Sequence, residues 1–249
     1  MISKNQIKYI RSLETKKGRN KEKSFVAEGP KVVADLMAVM QPRLIFATEE
    51  WYQANPSAGD GNGCFVVTED ELRKVSFLQH PQRVLAVFPI KDSQQVKVEK
   101  GDLYLALDGV QDPGNLGTII RIADWFGILR IYCSRDTADV YNPKVIQATM
   151  GSVARVDVQY VDLADMLKAL PNDYPIYGTF LDGEDIYKKN LTSHGVIVMG
   201  NEGKGISPEI SELINNRLLI PNFPKGRPTA DSLNVAIATA ITCSEFRRK

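Results

Sequence analysis

Three loops of the sequence carry polar residues whose types and spacing could do chemistry. In the first, Asp112-Pro113-Gly114 turns the chain into Asn115, and Arg121 follows six residues later. Six residues are under two helical turns, so Asn115 and Arg121 would share the N-terminal end of one helix, where free backbone N–H groups favour a phosphate. The simpler interpretation is that Asn115 caps the helix and Arg121 pairs with a surface acid.

The second loop is rich in glycine, which lets a backbone approach a ligand closely. Its sequence is Gly-Asn-Glu-Gly-Lys-Gly over 200–205, followed by Ser207-Pro208, a typical helix start. Gly205 stands where a Walker A loop needs Ser or Thr, and Pro208 stands where the dinucleotide fingerprint needs its third glycine. Neither nucleotide motif is therefore matched, and the alternative is a structural turn with Lys204 in solvent.

The third loop runs from Ile220-Pro221 to Ser232-Leu233-Asn234, where a helix is predicted to begin. Ser232 is not part of a Gly-x-Ser-x-Gly elbow, which argues against a hydrolase nucleophile, and it could simply cap the helix. Each of the three loops alone is more often a turn than a site. Their order and combination therefore carry the prediction.

The elements that must position these loops are apolar strands in the second part of the chain. Continuous apolar strands that alternate with helices indicate a mostly parallel sheet with helices on both faces. Ligands of such sheets bind at the carboxyl ends of the strands, so the loops that follow the strands should carry the chemistry. The predicted strands are 103–107, 128–133, 153–161, 176–180, 196–199 and 218–220, and the predicted helices are 116–126, 208–214 and 233–246.

The first ninety residues mix shorter helices and strands. Residues 3–13 have apolar side chains at helical spacing and predict an amphipathic helix, whereas the polar, cation-rich stretch 14–24 predicts a mobile basic loop. A further helix should begin at Gly29-Pro30. The predicted strands of this part are 25–27, 44–47, 64–68 and 84–88.

Two domains fit the length of 249 residues. The stretch 91–101 holds no apolar run and predicts a linker. We therefore expect a smaller α/β domain over 1–95 and a larger α/β domain over 100–249. The composition, 43% hydrophobic and 24% charged, is that of a globular protein.

The distribution of charge points to a polyanionic partner. The chain is nearly neutral, with 31 basic and 30 acidic residues, but residues 1–31 hold nine basic residues against three acidic ones. Such asymmetry is typical of nucleic-acid binding, and a solvated helix face is the alternative. The cations that we expect to contact RNA are Lys4, Lys8, Arg11, Lys16, Lys17 and Arg19.

Several classes of protein are excluded by the same sequence. The apolar runs are far shorter than the ~20 residues of a membrane-spanning helix, and the polar, basic start predicts no secretion signal. The three cysteines are scattered without metal-ligand or disulfide spacing, which fits a cytoplasmic protein. His80 and His194, the two histidines, have no obvious partner residues, so we expect neither a histidine triad nor a metal site.

Taken together, the three loops resemble the SpoU (TrmH-type) branch of the SPOUT superfamily. The first is similar to the family motif Asn-x-Gly-x-x-x-Arg, with Asn115, Gly117 and Arg121. The second is similar to the Gly-Asn-Glu-Gly motif at 200–203, and the third to Ile-Pro followed by Ser-Leu-Asn-Val at 232–235. The resemblance spans 102–246, including Pro143-Lys144 and Met150-Gly151-Ser152. Residues 25–29, Phe-Val-Ala-Glu-Gly, resemble less sharply the substrate-binding α/β domain of many members.

The resemblance implies an enzyme that transfers a methyl group from S-adenosyl-L-methionine to a ribose 2′-hydroxyl of structured rRNA or tRNA. It also implies a homodimer and a deep trefoil knot at the C-terminal end of the sheet, an exception to the usual absence of knots. The implied cofactor-binding residues, largely through main chain, are Thr179, Phe180, Leu181, Met199, Gly200, Gly205, Ile220, Pro221 and Leu233. The implied catalytic residues are Asn115, Arg121, Glu202, Ser232 and Asn234.

Arg121 has the central role in this hypothesis. A guanidinium is almost always protonated, so it would anchor a phosphate and stabilise the developing alkoxide instead of acting as a base. Glu202, Ser232 and Asn234 would orient Arg121, and Asn115 would hold the nucleotide or Arg121, while water could take the proton. A non-catalytic RNA-binding protein and a base N-methyltransferase of a related knotted family are the alternatives.

Two features depart from the family pattern. Eleven residues separate Ile220 from Ser232, and this connection, with Pro224, Gly226, Arg227 and Pro228, looks longer than usual. The basic stretch 14–24 carries no recognisable RNA motif. The sequence therefore does not identify the RNA or the nucleotide that is modified.

Overall fold

The computed structural model describes residues 2–59, 63–91, 98, 99, 101–224, 227 and 230–248. Most of the predicted linker 91–101, and Gly226 and Pro228 of the third loop, lie outside the described residues. The chain divides into two compact units. The first is Met1–Asp92 with Asp139–Ala154, and the second is Ser93–Ala138 with Arg155–Lys249.

The helices and strands follow in chain order. The helices are α1 Lys4–Ser12, α2 Lys16–Glu22, α3 Pro30–Met37, α4 Glu49–Ala54, α5 Glu69–Val75, α6 Pro113–Trp125, α7 Pro143–Ala148, α8 Leu163–Lys168, α9 Pro208–Ser211 and α10 Val235–Arg247. The strands are β1 Ser24–Glu28, β2 Leu44–Ala47, β3 Cys64–Val66, β4 Val84–Pro89, β5 Leu103–Leu107, β6 Arg130–Cys133, β7 Asp157–Tyr160, β8 Ile176–Asp185, β9 Gly195–Met199 and β10 Asn216–Leu219.

The first unit contains a mixed sheet in the order β1-β4-β2-β3. Strand β4 pairs antiparallel with β1 and β2, and β2 pairs parallel with β3. Alternate residues of β1 enter two different apolar clusters: Phe25 and Ala27 belong to one cluster, and Val26 to the other. This period of two places a hydrophobic core on each face of the sheet.

Residues 139–154 pack with the first unit, although the sequence-based division assigns them to the second domain. The rings of Tyr141 and Phe25 lie 4.7 Å apart, and Ile146 is buried in the same apolar cluster as Phe25. Gly151 adopts a positive φ of 97° and approaches Asp35 so closely that a Cβ would lie 2.1 Å from its carboxylate oxygen. The segment is therefore held by specific contacts within the first unit.

The prediction of a mobile basic loop at 14–24 is wrong, because helix α2 occupies most of it. Thr15 caps this helix by accepting a hydrogen bond from the backbone N–H of Gly18 at 3.1 Å. Lys23 ends it in the left-handed conformation, with φ of 47°. A threonine N-cap therefore organises a segment whose charge alone predicts disorder.

Arg19 is buried inside the first unit, with 2% of its surface exposed. It donates hydrogen bonds to the backbone carbonyls of Leu13 and Glu14 at 2.9 and 2.8 Å, and pairs with Asp139 at 2.6 Å. The prediction that Arg19 contacts RNA is therefore wrong, because its guanidinium is committed to internal partners. These bonds stabilise α2 from the inside.

The second unit contains a sheet in the order β10-β8-β9-β5-β6-β7, and its strand pairs are all parallel. All five residues of β5 and all five of β9 are buried, as expected for inner strands of a parallel sheet. The predicted parallel α/β architecture is confirmed, and helices flank the sheet. The trefoil knot stays a prediction.

Among the helices that the structure describes, none is long and apolar enough to cross a membrane. Over the same described residues, no group of three or more His, Cys, Asp or Glu side chains is arranged to hold a metal ion.

Candidate active site

Asn115 joins the three loops that the sequence singled out. Its amide Nδ2 donates to Glu202 Oε1 at 2.9 Å, and its Oδ1 accepts from the amide Nδ2 of Asn234 at 2.9 Å. Glu202 lies in the glycine-rich loop after β9, and Asn234 lies at the start of α10. Three side chains, one from each loop, thus meet at one point.

The caps of α6 and α10 explain why these side chains are available. Asp112, not Asn115, caps α6, by accepting a hydrogen bond from the backbone N–H of Asn115 at 2.8 Å. At α10 the cap is Asn234, whose Oδ1 accepts from the N–H of Ala236 at 3.0 Å, so Ser232 is not the cap. The simpler interpretations of Asn115 and Ser232 as helix caps are therefore wrong.

The glycine-rich loop is shaped by Asn201, a residue that sequence reasoning missed. Its Oδ1 accepts from the N–H groups of Gly203 and Lys204 at 2.9 and 3.0 Å, and its Nδ2 donates to the carbonyl of Gly109 at 2.7 Å. A Cβ on Gly200 would lie 2.3 Å from the backbone of Gly205. Only glycine therefore fits at position 200.

Asp108 is a second residue that sequence reasoning missed. Its carboxylate accepts from the backbone N–H of Ser207 at 2.7 Å and so ties the end of β5 to the start of α9. The available signal was an acidic residue directly after a fully apolar strand, a common position for turn and cap residues.

Arg121 lies on the exposed side of α6, and its guanidinium makes no hydrogen bond or ion pair with any described residue. The expectation that Glu202, Ser232 and Asn234 orient Arg121 is therefore not met, because Glu202 and Asn234 bind Asn115 instead. One turn further along the same helix, Trp125 is 85% exposed. Arg121 thus shares an open helix face with an exposed indole.

A cleft of about 920 Å³ opens at the carboxyl ends of β9 and β10 and beside the middle of β8. This volume is within the range of small-molecule sites. All nine residues predicted to bind the cofactor line this cleft, together with Glu202 and Ser232. They are Thr179, Phe180, Leu181, Met199, Gly200, Gly205, Ile220, Pro221 and Leu233.

The lining of the cleft is mixed in chemistry. Leu219, Val235 and Ala238 extend its apolar wall, and sequence reasoning missed them because strand and helix interiors carry no loop motif. At the rim, the carboxylates of Glu202 and Asp231 supply negative charge, and Lys204 adds one cation. Such a cleft suits a ligand that combines a flat apolar ring, polar groups and positive charge.

Comparison with known proteins identifies both parts of the chain. The model of the SpoU rRNA Methylase family matches residues 102–244, and the model of the MRM3-like substrate binding domain matches residues 4–86. The chain is 31% identical to the 23S rRNA (guanosine(2553)-2′-O)-methyltransferase RlmP of Bacillus subtilis, over 98% of this chain and 97% of the relative.

Solved structures agree over the whole chain. A TrmH-family protein from Porphyromonas gingivalis has a TM-score of 0.90 and 41% identity, covering 100% of this chain and 99% of its own. An AdoMet-bound rRNA methyltransferase from Sinorhizobium meliloti has a TM-score of 0.86 and 31% identity, covering 100% and 97%. The resemblance of the three loops is thus confirmed, and the chain belongs to the SpoU rRNA methylase family.

Proposed function

We propose that this chain transfers a methyl group from S-adenosyl-L-methionine to a ribose 2′-hydroxyl of structured RNA, ribosomal or transfer. The observation that carries the proposal is the cleft, which collects all nine predicted cofactor residues next to the Glu202–Asn115–Asn234 chain of hydrogen bonds. The Bacillus relative is named for 2′-O-methylation of 23S rRNA, and the Sinorhizobium structure is AdoMet-bound; both support the same activity.

The residues of the cleft fit S-adenosyl-L-methionine. Backbone groups at Gly200, Ile220 and Leu233 would hold the adenine and ribose between apolar walls, and the rim carboxylates of Glu202 and Asp231 would favour a cationic ligand. When bound, the cofactor supplies an electrophilic methyl group. The protein has to align the ribose oxygen with that methyl and to stabilise the charge that develops on the oxygen.

Arg121 would supply that charge stabilisation. Its guanidinium has no described partner, so it is free to bind a phosphate next to the reacting ribose. Asn115, held on both sides by amide and carboxylate groups, would position the nucleotide. Solvent water would accept the hydroxyl proton.

We further propose that the active form is a homodimer. Helices α6 and α10 run side by side in the same direction, since Asn115 binds Asn234 at their beginnings and Arg247 binds the carbonyl of Phe126 at their ends. Trp125, Leu129 and Ile237 leave 85, 67 and 53% of their surfaces exposed on or next to these helices. A second copy would cover this apolar surface and bring protein groups to Arg121.

The first unit would bind the RNA. We place this activity in the cytoplasm. Lys4, Lys8 and Arg11 on α1 and Lys16 and Lys17 on α2 are exposed, unlike Arg19. Cations on two neighbouring helices would attract the phosphate backbone without reading its sequence.

Methyl transfer to purified RNA tests the function. The full-length protein should transfer labelled methyl groups from S-adenosyl-L-methionine to rRNA or tRNA from a strain that lacks the gene, and the modified linkage should resist alkaline hydrolysis. Arg121→Lys should lower turnover roughly 10²-fold, because it removes the planar fork but keeps the charge. Methylation on a ring nitrogen would point to a base methyltransferase, and cofactor binding without transfer would point to a non-catalytic RNA-binding protein.

A further inference from the structure

The wall of the cleft is formed in part by a break in the sheet between β8 and β10. Arg217 pairs with Gly178, but the next residue of β10, Leu218, pairs with Glu184. One step along β10 therefore corresponds to six steps along β8, and residues 179–183 leave the ladder as a bulge. We call these five residues the β8 bulge. It contains Thr179, Phe180 and Leu181, which line the cleft.

Both ends of the β8 bulge are closely packed. A Cβ on Gly178 would lie 2.8 Å from the ring of Phe180, and a Cβ on Gly183 would lie 2.4 Å from the backbone of Leu218. These glycines allow the chain to leave and rejoin the ladder. They do not by themselves fix the conformation of the residues between them.

Arg217 supplies the contacts that fix the β8 bulge. Its guanidinium lies over the ring of Phe180, 3.4 Å from the ring centroid. The same group donates to Asp182 Oδ1 at 2.6 Å and to the hydroxyl of Ser211 at 3.1 Å. Arg217 therefore touches two residues of the bulge from outside the ladder and connects them to α9.

We expect the stacking contact to hold the β8 bulge more strongly than the ion pair does. The pair between Arg217 and Asp182 is largely open to solvent, and such pairs contribute little to stability, although hydrogen bonding to Arg217 holds the pKa of Asp182 below its usual value. A planar guanidinium can stack on an aromatic ring and donate two directed hydrogen bonds at once, whereas a lysine ammonium cannot.

We propose that Arg217 is a positioning residue for the cofactor, which holds Phe180 and the β8 bulge in the shape that binds S-adenosyl-L-methionine. This inference rests on the proposed function. Arg217 does not line the cleft, so it acts through Phe180. Its loss should weaken cofactor binding and leave the chemical step nearly unchanged.

Calorimetry with S-adenosyl-L-methionine and kinetics with RNA test the inference on the full-length protein. Arg217→Lys should raise the Kd and the KM for the cofactor roughly tenfold, about 1.4 kcal/mol, with kcat at saturating cofactor within about twofold of wild type. Asp182→Asn, which keeps the stacked arginine, should have a smaller effect. If Arg217 variants fold poorly, the Kd of the Asp182→Asn protein for the cofactor still tests the inference.

Arg130→Lys is the matched control. Arg130 lies on β6, toward the opposite edge of the same sheet, and forms an ion pair with Asp157 at 3.1 Å. Its replacement should change the Kd less than twofold. An unchanged Kd in a folded Arg217→Lys protein, or a fall in kcat with an unchanged KM, would overturn the inference alone. Failure of the wild type to bind S-adenosyl-L-methionine would overturn the proposed function, and the inference with it.

Discussion

Asn115 shows how one side chain can bring three distant loops together. The resemblance to the family motifs implies Asn115, Glu202 and Asn234 as catalytic residues, with Glu202 and Asn234 forming bonds that orient Arg121. In the structure both bonds go to Asn115. These polar residues could thus be named from the family motifs, whereas their pairing could not be predicted, because it depends on which loops the sheet brings together.

An isosteric substitution tests the donor and acceptor roles of the Asn115 amide. Asn115→Asp keeps an acceptor for Asn234 but replaces the amide donor, 2.9 Å from Glu202, with a carboxylate oxygen. We expect kcat/KM for methyl transfer to fall roughly 10- to 100-fold, since two carboxylates would share one position. The double variant Asn115→Asp/Glu202→Gln restores a donor–acceptor pair and should recover part of this loss. Equal activities of the single and double variants would contradict the assignment.

Glu28 is a buried carboxyl group in the first unit, 5% exposed. It accepts hydrogen bonds from the hydroxyl of Ser76 and from the N–H of Phe77, so it holds the start of the segment that follows α5. Burial raises the pKa of Glu28 above its usual value, although both hydrogen bonds and the charge of Arg11 act to lower it. The native state therefore keeps this proton to a higher pH than the unfolded chain.

A pH dependence of stability follows from Glu28. Between its unfolded and folded pKa values the native state binds more protons, so this group destabilises the fold as pH rises through that window. Glu28→Gln has nearly the same shape and no charge to bury. Its free energy of unfolding relative to wild type should increase as pH rises through the window and then stay constant. Urea unfolding between about pH 4 and pH 8 measures this, and a difference that does not change with pH would contradict it.

At the scale of elements, helix α2 shows why charge patterns mislead. Seven residues that include four cations predict a loop, because like charges repel in an isolated helix. The Thr15 cap and the internal hydrogen bonds of Arg19 overcome this repulsion. Arg19 could not be distinguished from its exposed neighbours by sequence, because its partner Asp139 lies 120 residues away.

Gly18 tests how closely α2 packs. An alanine Cβ at this position would lie 1.9 Å from the carbonyl oxygen of Ser12, so the backbone would have to move. Alanine usually favours a helix over glycine by about 1 kcal/mol, but we expect Gly18→Ala to destabilise the protein by about 1–3 kcal/mol in urea unfolding. Asn20→Ala at an exposed α2 position should stay within about 0.5 kcal/mol. A stabilising Gly18→Ala would show that α2 is free to shift.

The strands were more predictable than the break between two of them. The predicted bounds of β2 and β5 agree with the structure, because each is a short apolar run between polar residues. The β8 bulge was not predicted, since it follows from the register with β10 and from the stacking of Arg217 on Phe180. Resemblance to the family could therefore locate this part of the cleft wall. Its conformation could not be predicted, because it depends on the non-local pairing.

At the scale of the whole molecule, near-neutral net charge conceals an uneven distribution. Residues 1–31 hold nine of the 31 basic residues, and most of those cations are exposed, whereas Arg19 belongs to the interior. The second unit has acidic residues at the rim of its cleft. This uneven charge predicts a division of roles between the two units, and the proposed contact of α1 and α2 with RNA rests on that prediction.

Trp125 tests the proposed homodimer. It lies one turn after Arg121 on α6 and exposes 85% of its surface, so it would be covered only by another molecule. Trp125→Glu places a charge in that surface and should convert a dimer into a monomer at micromolar concentration in sedimentation. If the second copy completes the environment of Arg121, methyl transfer should fall in parallel. Tyr187→Glu, at an exposed aromatic residue outside α6 and α10, should leave both properties unchanged. A monomeric wild type, or a monomeric Trp125→Glu protein with full activity, would show that one chain suffices for catalysis.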